Sequence, residues 1–243
     1  IRISLAYVIM IILIWIPMAR RKSLAFLDVG QGDCFVADTK SGAIIFDGGS
    51  SSEDQVGRYR ILPYMKYLGY QKIQIAVISH MDIDHYSGIK ELLEMGKIKY
   101  LGLPEIPKDE TMKKIIGIAK KRGTTIFYLS RGRQITTKDG SLKVLHPQKN
   151  SQMEKNAASL VMQGKILGYR VLLTGDVEKE GEEELLLEEL ERADILKAAH
   201  HGSKNSTSNE FLQKVQPKQT VISCGKQNRY GHPHLETIHR LQT

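Results

Sequence analysis

Cysteine is nearly absent from this 243-residue chain: there are only Cys34 and Cys224, with no Cys-x-x-Cys and no Cys–His cluster. That argues against a thiolate zinc site, and leaves the two as buried thiols or as one disulfide. Low-complexity linkers, internal repeats and a tight polybasic tail are also missing, so nothing divides the chain after its first residues. Aromatics make up 7% and tryptophan occurs once, as Trp15. What is plentiful is positive charge, formally +8 with a pI near 9.3. The basic residues are dispersed (Arg58, Arg60 and Lys66, then Lys113 to Arg122, then Arg131, Arg133 and Lys138). Such a balance suits an acidic polymer or an anionic membrane surface, but dispersion is also what a solvated surface shows.

One long apolar run stands out, Ile3 to Met18, followed by Arg20, Arg21 and Lys22. As a helix it would rise about 24 Å, short of the roughly 30 Å of bilayer hydrocarbon. The chain begins with Ile1, and no basic region precedes the run, so it reads as the last part of a transmembrane helix rather than a signal peptide. The expected division is residues 1–22 as helix end and basic flank, and 23–243 as one domain. By the positive-inside rule the basic cluster points weakly to the cytoplasm.

Beyond it, strands are expected at Leu24–Val29, Cys34–Ala37, Ala43–Phe46 and Ile73–Ile78. Helices follow at Arg60–Leu68, Ser87–Met95 and Thr111–Lys121. The second half predicts strands near Ile126, Ile135, Leu142–Leu145, Leu160–Met162, Val171–Leu173, Ile195–Ala199 and Thr220–Ser223. Its helices are Glu178–Leu190, Ser208–Lys214 and Leu235–Leu241. Many strands are joined by hairpin-length turns, so two mixed sheets between outer helices fit better than one parallel sheet.

The most telling stretch is His80-Met81-Asp82-Ile83-Asp84-His85, just past an apolar strand. Two imidazoles and two carboxylates at that spacing can close around one or two divalent cations; as a plain loop, Asp84 or Ser87 would cap the next helix. Further candidates also follow apolar strands: Asp176 after Leu172-Leu173, His200 and His201 after Ile195-Leu196, and His232 and His234 after Val221-Ile222. Strand ends converging on one edge are a usual place for a site. His146 and His239 read as structural.

These residues carry a resemblance. The series His80-x-Asp82-x-Asp84-His85 resembles the His-x-His-x-Asp-His motif of the metallo-β-lactamase superfamily. More narrowly, Leu27–Cys34, Phe46–Gly49, Ser79–Gly88, Asn156–Met162, Leu172–Asp176, Leu196–Ser203 and Tyr230–Pro233 look like the C-terminal domain of ComEC-type competence proteins. These are multi-pass membrane channels for DNA uptake, and the match runs in order from Leu24 to Leu241.

The resemblance implies an α+β fold, the αββα metallo-β-lactamase sandwich, after a short transmembrane-like segment. It implies two divalent metal ions, held by His80, Asp82, Asp84, His85, Asp176 and one of His200 and His201. Neighbours at a strand end point opposite ways, so the sequence does not choose between those two. The superfamily's third histidine is replaced here by Asn156-Ala157-Ala158-Ser159, and the middle histidine by Asp82. The site is thus richer in oxygen, which makes Mn²⁺ a serious rival to Zn²⁺.

Asp84 is expected to orient the nucleophile and to help protonate the leaving group. His232 is expected to contact the scissile phosphate or leaving oxygen, and Ser203, Lys204 and Ser206 to contact phosphate. Asp33 and Asp47 would brace the ligands, and Gly30, Gly32, Gly48 and Gly49 would permit tight turns beneath them.

The implied function is a metal-dependent DNase attached to an uptake channel, degrading the strand that is not imported. Its partners would be DNA, single-stranded or being unwound, the channel portion of the same polypeptide and the uptake machinery. The implied location is the outer face of the cell membrane. Two alternatives remain: a phosphodiesterase or other hydrolase of the same fold acting on an envelope or nucleotide substrate, and a catalytically degenerate DNA-binding or gating module.

Overall fold

The structure, a computed structural model, describes residues 22–242 together with Tyr7. Apart from Tyr7, the transmembrane-like run and Arg20 and Arg21 lie outside the described residues. Among the described residues no helix is long and apolar enough to cross a membrane.

Among the described residues two six-stranded sheets are each built from one half of the chain. The first comprises β1 (Leu24–Phe26), β2 (Phe35–Thr39), β3 (Gly42–Phe46), β4 (Ile73–Val77), β5 (Ile98–Pro104) and β6 (Thr125–Leu129), side by side in that order. The second comprises β7 (Gln134–Thr137), β8 (Gly140–His146), β9 (Val161–Ile166), β10 (Tyr169–Leu173), β11 (Ile195–Lys197) and β12 (Gln219–Val221), also in sequence order. Pairing is antiparallel from β1 to β3 and from β7 to β10, and parallel from β3 to β6 and from β10 to β12.

Strand alternation makes the layers. On β2 and β3, Phe35, Ala37, Ile44 and Phe46 face the second sheet and join Val144, Leu160, Met162, Val171 and Leu173 in a central core. Their neighbours Val36, Ala43 and Ile45 turn outward onto the helices Leu62–Tyr67, Ile83–Glu94 and Glu110–Lys121. Leu172 and Leu196 turn outward from the second sheet onto Leu185, Phe211 and Val215 of the helices Lys179–Leu186 and Asn209–Val215. Strands buried on both faces need apolar residues in both registers, which explains their unbroken apolar runs.

Boundaries differ from expectation in two informative places. The helix expected from Ser87 begins at Ile83, so Asp84 and His85 stand in its first turn. Asp82 is its N-cap residue, yet its side chain caps nothing and is left to the site. The acidic helix expected to Leu190 ends at Leu186. Its Glu182 is buried and accepts hydrogen bonds from the backbone N–H groups of Thr207 and Ser208. It is therefore a strut rather than part of a solvated face.

Candidate metal centre

Every element of the site leaves the same edge of the two sheets. Asp47 follows β3, His80 to His85 follow β4, Asp176 follows β10, and His200 and His201 follow β11. Asp33 comes from the turn before β2. The edge closes tightly at Gly49, where an added Cβ would lie 2.6 Å from backbone atoms of Asp84, His85 and Ile83. Gly49 thus serves close approach more than turning.

At the centre Asp176 Oδ2 lies 3.1 Å from His85 Nε2, 3.3 Å from His201 Nε2 and 3.8 Å from His200 Nε2. Asp84 Oδ2 stands 3.4 Å from His201 Nε2. Asp33, His85, Asp176 and His201, all buried, can each offer a ligand atom within 4.8 Å of the others. His80 and Asp82 form a neighbouring pair, Nε2 to Oδ2 3.6 Å, with the exposed Lys155 ammonium 3.4 Å from Asp82 Oδ1. The site therefore has a dense inner group and a looser outer pair, as a centre for two ions of unequal affinity would.

The imidazole contacts explain which nitrogens are offered. His85 Nδ1 lies 2.9 Å from Asp47 Oδ2, and His201 Nδ1 lies 2.8 Å from the Ser223 carbonyl. An N–H donated there leaves each Nε2 as a lone-pair acceptor facing the centre. Ser79 links the histidines: its N–H donates to Asp47 Oδ1 at 2.7 Å, its Oγ–H to Asp47 Oδ2 at 2.8 Å, and its Oγ meets His80 Nδ1 at 3.0 Å. The Nε2 atoms of His80, His85 and His201 are buried without a well-formed hydrogen bond. Three such atoms at one sheet edge are costly unless an ion completes them. The donor set, nitrogen with several carboxylates, fits a divalent cation.

Sequence reasoning missed Lys197. Its ammonium is buried against the Asp33 carboxylate, donates to the Gly175 carbonyl at 3.1 Å and lies 3.6 Å from Asp176 Oδ1. Nor did it assign Glu178, whose Oε1 is 2.9 Å from His200 Nδ1, or Lys155. A lysine in a short strand carries no mark of burial in the sequence; the three carboxylates that call for a cation there, Asp33, Asp176 and Asp47, are gathered only by the fold.

The other predicted residues fall as follows. Asp33 and Asp47 lie behind the histidines. Ser203 and Ser206 are buried in the turn after His201, while Lys204 is exposed. Arg240 holds this turn by donating to the carbonyls of Lys204, Ser206 and Thr207. The His232 ring centroid is 5.3 Å from that of His200 and 6.2 Å from that of His201. His234 accepts the Lys204 N–H at Nδ1, and His146 Nε2 meets the Ala157 carbonyl at 2.7 Å. Both cysteines are free thiols.

Electrostatics follow from this crowding. Burial works against a charged His201, but Asp176, Asp33 and Asp84 override it and push the ring up to about 10. Burial likewise opposes charge on His85, and Asp176 and Asp47 raise it well above the usual range. Asp176 is held low against its burial by His201, His85 and Lys197. His232 is pushed down to about 4 by burial and by the neighbouring histidines.

For His201 the sign is plain: stability from a raised group is complete below the unfolded value of 6.5 and is lost as pH climbs through about 10. The metal-free protein should therefore show a falling denaturation midpoint across that window. Apparent affinity for a divalent cation should rise over the same window, because binding displaces these protons. An equal fall in His201→Gln would refute the assignment.

Comparison with known proteins agrees with this geometry. The family described as the metallo-β-lactamase superfamily matches residues 27–226. ComE operon protein 3 of Bacillus subtilis is 35% identical over 254 residues, covering 97% of this chain and 32% of that protein. Competence protein ComA of Neisseria gonorrhoeae is 30% identical over 216 residues, covering 85% of this chain and 27% of that protein. The chain thus spans about a third or less of the length of these curated relatives. Among solved structures, the metallo-β-lactamase fold protein YhfI from Bacillus subtilis aligns with a TM-score of 0.57 at 12% identity, covering 90% of this chain and 92% of that one. At that identity the likeness speaks for the fold alone.

Proposed function

The chain belongs to the metallo-β-lactamase superfamily, and from that premise we propose that it is a metal-dependent nuclease that hydrolyses DNA phosphodiesters during DNA uptake. The observation that carries the reading is the set of three buried histidine Nε2 atoms without a well-formed hydrogen bond, two facing Asp176 and one facing Asp82, in a chain whose relatives include competence proteins. In this reading residues 23–243 form the hydrolase domain, following the end of a transmembrane helix over 1–22 and lying on the outer face. The strand it degrades is the one not imported.

His85, His201, Asp176 and Asp84 would hold one divalent ion, and His80 and Asp82 would contribute to a second, Mn²⁺ or Zn²⁺. Bound there, such an ion acts as a Lewis acid on a phosphoryl oxygen and lowers the pKa of water. The protein's own groups do the rest. Asp47 and the Ser223 carbonyl fix the tautomers of His85 and His201. Asp84, partly open to solvent, accepts a hydrogen bond from the attacking water and orients it. His232, neutral at pH 7, sits beside the histidines where it can donate a hydrogen bond to the leaving oxygen. Lys204 and the dispersed basic surface would attract the phosphate backbone, so affinity falls with salt.

The test incubates metal-stripped protein with single- and double-stranded DNA plus Mn²⁺, Mg²⁺ or Zn²⁺, alongside Asp84→Ala. Metal-dependent cutting that falls at least a hundredfold in the variant is expected. Intact DNA under every metal, with binding of the ion confirmed, would reject the nuclease and favour another phosphodiester or a binding role.

A further inference from the structure

Next to the histidines the loop from Gly225 to His234 presents a flat aromatic surface to solvent. The Tyr230 ring is 43% exposed and lies nearly parallel to His232, 5.7 Å between centroids at 21°. His232 in turn lies at 30° to His201. The guanidinium carbon of Arg229 is 4.9 Å from the centre of the Tyr230 ring, and both side chains are exposed.

The loop is held in this shape. Asn228 Oδ1 accepts the N–H groups of Tyr230 at 3.1 Å and His232 at 3.0 Å. Asn228 Nδ2 donates to the carbonyls of Gly225 at 2.8 Å and His232 at 2.6 Å. The Gly225 N–H is tied to Gln31 Oε1 at 3.0 Å, which anchors the loop to the turn that carries Asp33.

An exposed tyrosine on a mobile loop would mean little. Here the ring belongs to a loop pinned by Asn228, with the Arg229 guanidinium over it and donating to its hydroxyl at 2.7 Å, two ring contacts from a proposed metal ligand. We propose that Tyr230 and Arg229 form a stacking platform for the nucleobase next to the scissile phosphate. This rests on the nuclease reading and deepens it: the substrate is a strand whose base at the cut is unpaired. A base in an intact duplex has both faces covered by its neighbours, whereas an unpaired base offers a π-face to an aromatic ring whatever its identity. The arginine adds cation–π attraction and a phosphate contact.

The experiment uses the full chain in detergent with two labelled oligonucleotides of equal length, one carrying thymine throughout and one abasic throughout. Binding is read by fluorescence anisotropy in chelator, and cutting is read with the activating metal. Tyr230→Ala should weaken binding and cutting of the thymine strand by on the order of tenfold, and should leave the abasic strand unchanged. Tyr230→Trp should restore the thymine strand. Equal binding of the thymine strand by wild type and Tyr230→Ala would overturn the platform. Parallel losses on both strands would also overturn it, by showing that Tyr230 acts through His232 instead. Failure of the wild type to cut any DNA, with the thymine preference in binding intact, would overturn the nuclease reading and not the stacking surface.

Discussion

Lys197→Met should destabilise the metal-free protein by about 3–5 kcal/mol, the usual cost of removing one partner from a buried ion pair. The ammonium is fully buried, and Asp33 and Asp176 both turn toward it. Burial opposes its charge, yet those carboxylates keep its pKa raised. Methionine matches the stem but takes the ammonium from two carboxylates in a dry interior, leaving them only the imidazoles of His85 and His201. Lys197→Met combined with Asp33→Asn removes one of those charges and should recover much of the loss. Ion binding should respond in the opposite sense: without a fixed positive charge beside Asp176, a divalent cation should bind Lys197→Met more tightly than wild type. Denaturant titrations with and without metal measure both effects. Identical midpoints for the single and double variants would show that the two side chains are not coupled.

Asp47→Asn should weaken metal binding by about 10–100-fold while leaving the fold intact. Asp47 is buried and touches no open space in the site, but it holds His85 directly and His80 through Ser79. Its backbone is left-handed at φ 57°, a conformation asparagine tolerates better than alanine, so the amide is the informative replacement. An asparagine oxygen can still accept the Ser79 N–H, but the charge that fixes the His85 tautomer is gone. Competition against a chromophoric chelator reads the affinity. An unchanged value would mean that the carboxylate serves folding alone.

Much of the scaffold could be read from the chain, because two-sided burial writes itself as apolar runs, and those of β3, β4, β10 and β11 each lead into polar residues at the same edge. The choice between His200 and His201 could not. Strand alternation predicts that neighbours diverge, but both residues leave β11 in the left-handed region, φ 47° and 53°, where that period does not apply. Both rings therefore approach Asp176 Oδ2, with His201 nearer and buried and His200 partly exposed and facing Glu178. Glu182 escaped notice for a different reason: in a helix so rich in glutamate, periodicity cannot tell the one carboxylate that turns inward. Lys197 escaped because charge balance is a property of assembled neighbours, which no local window contains.

The division of the sheets between the two halves of the chain has a mechanical consequence. Asp84 and His85 belong to the first half, and Asp176 and His201 to the second. A cation held among them would be a removable cross-link across the seam, fastening one half of the molecule to the other. Because the site exists only when both halves are folded together, loss of the ion would remove its binding free energy from the folded state and loosen the seam. Ion occupancy and the cohesion of the two halves would then rise and fall together.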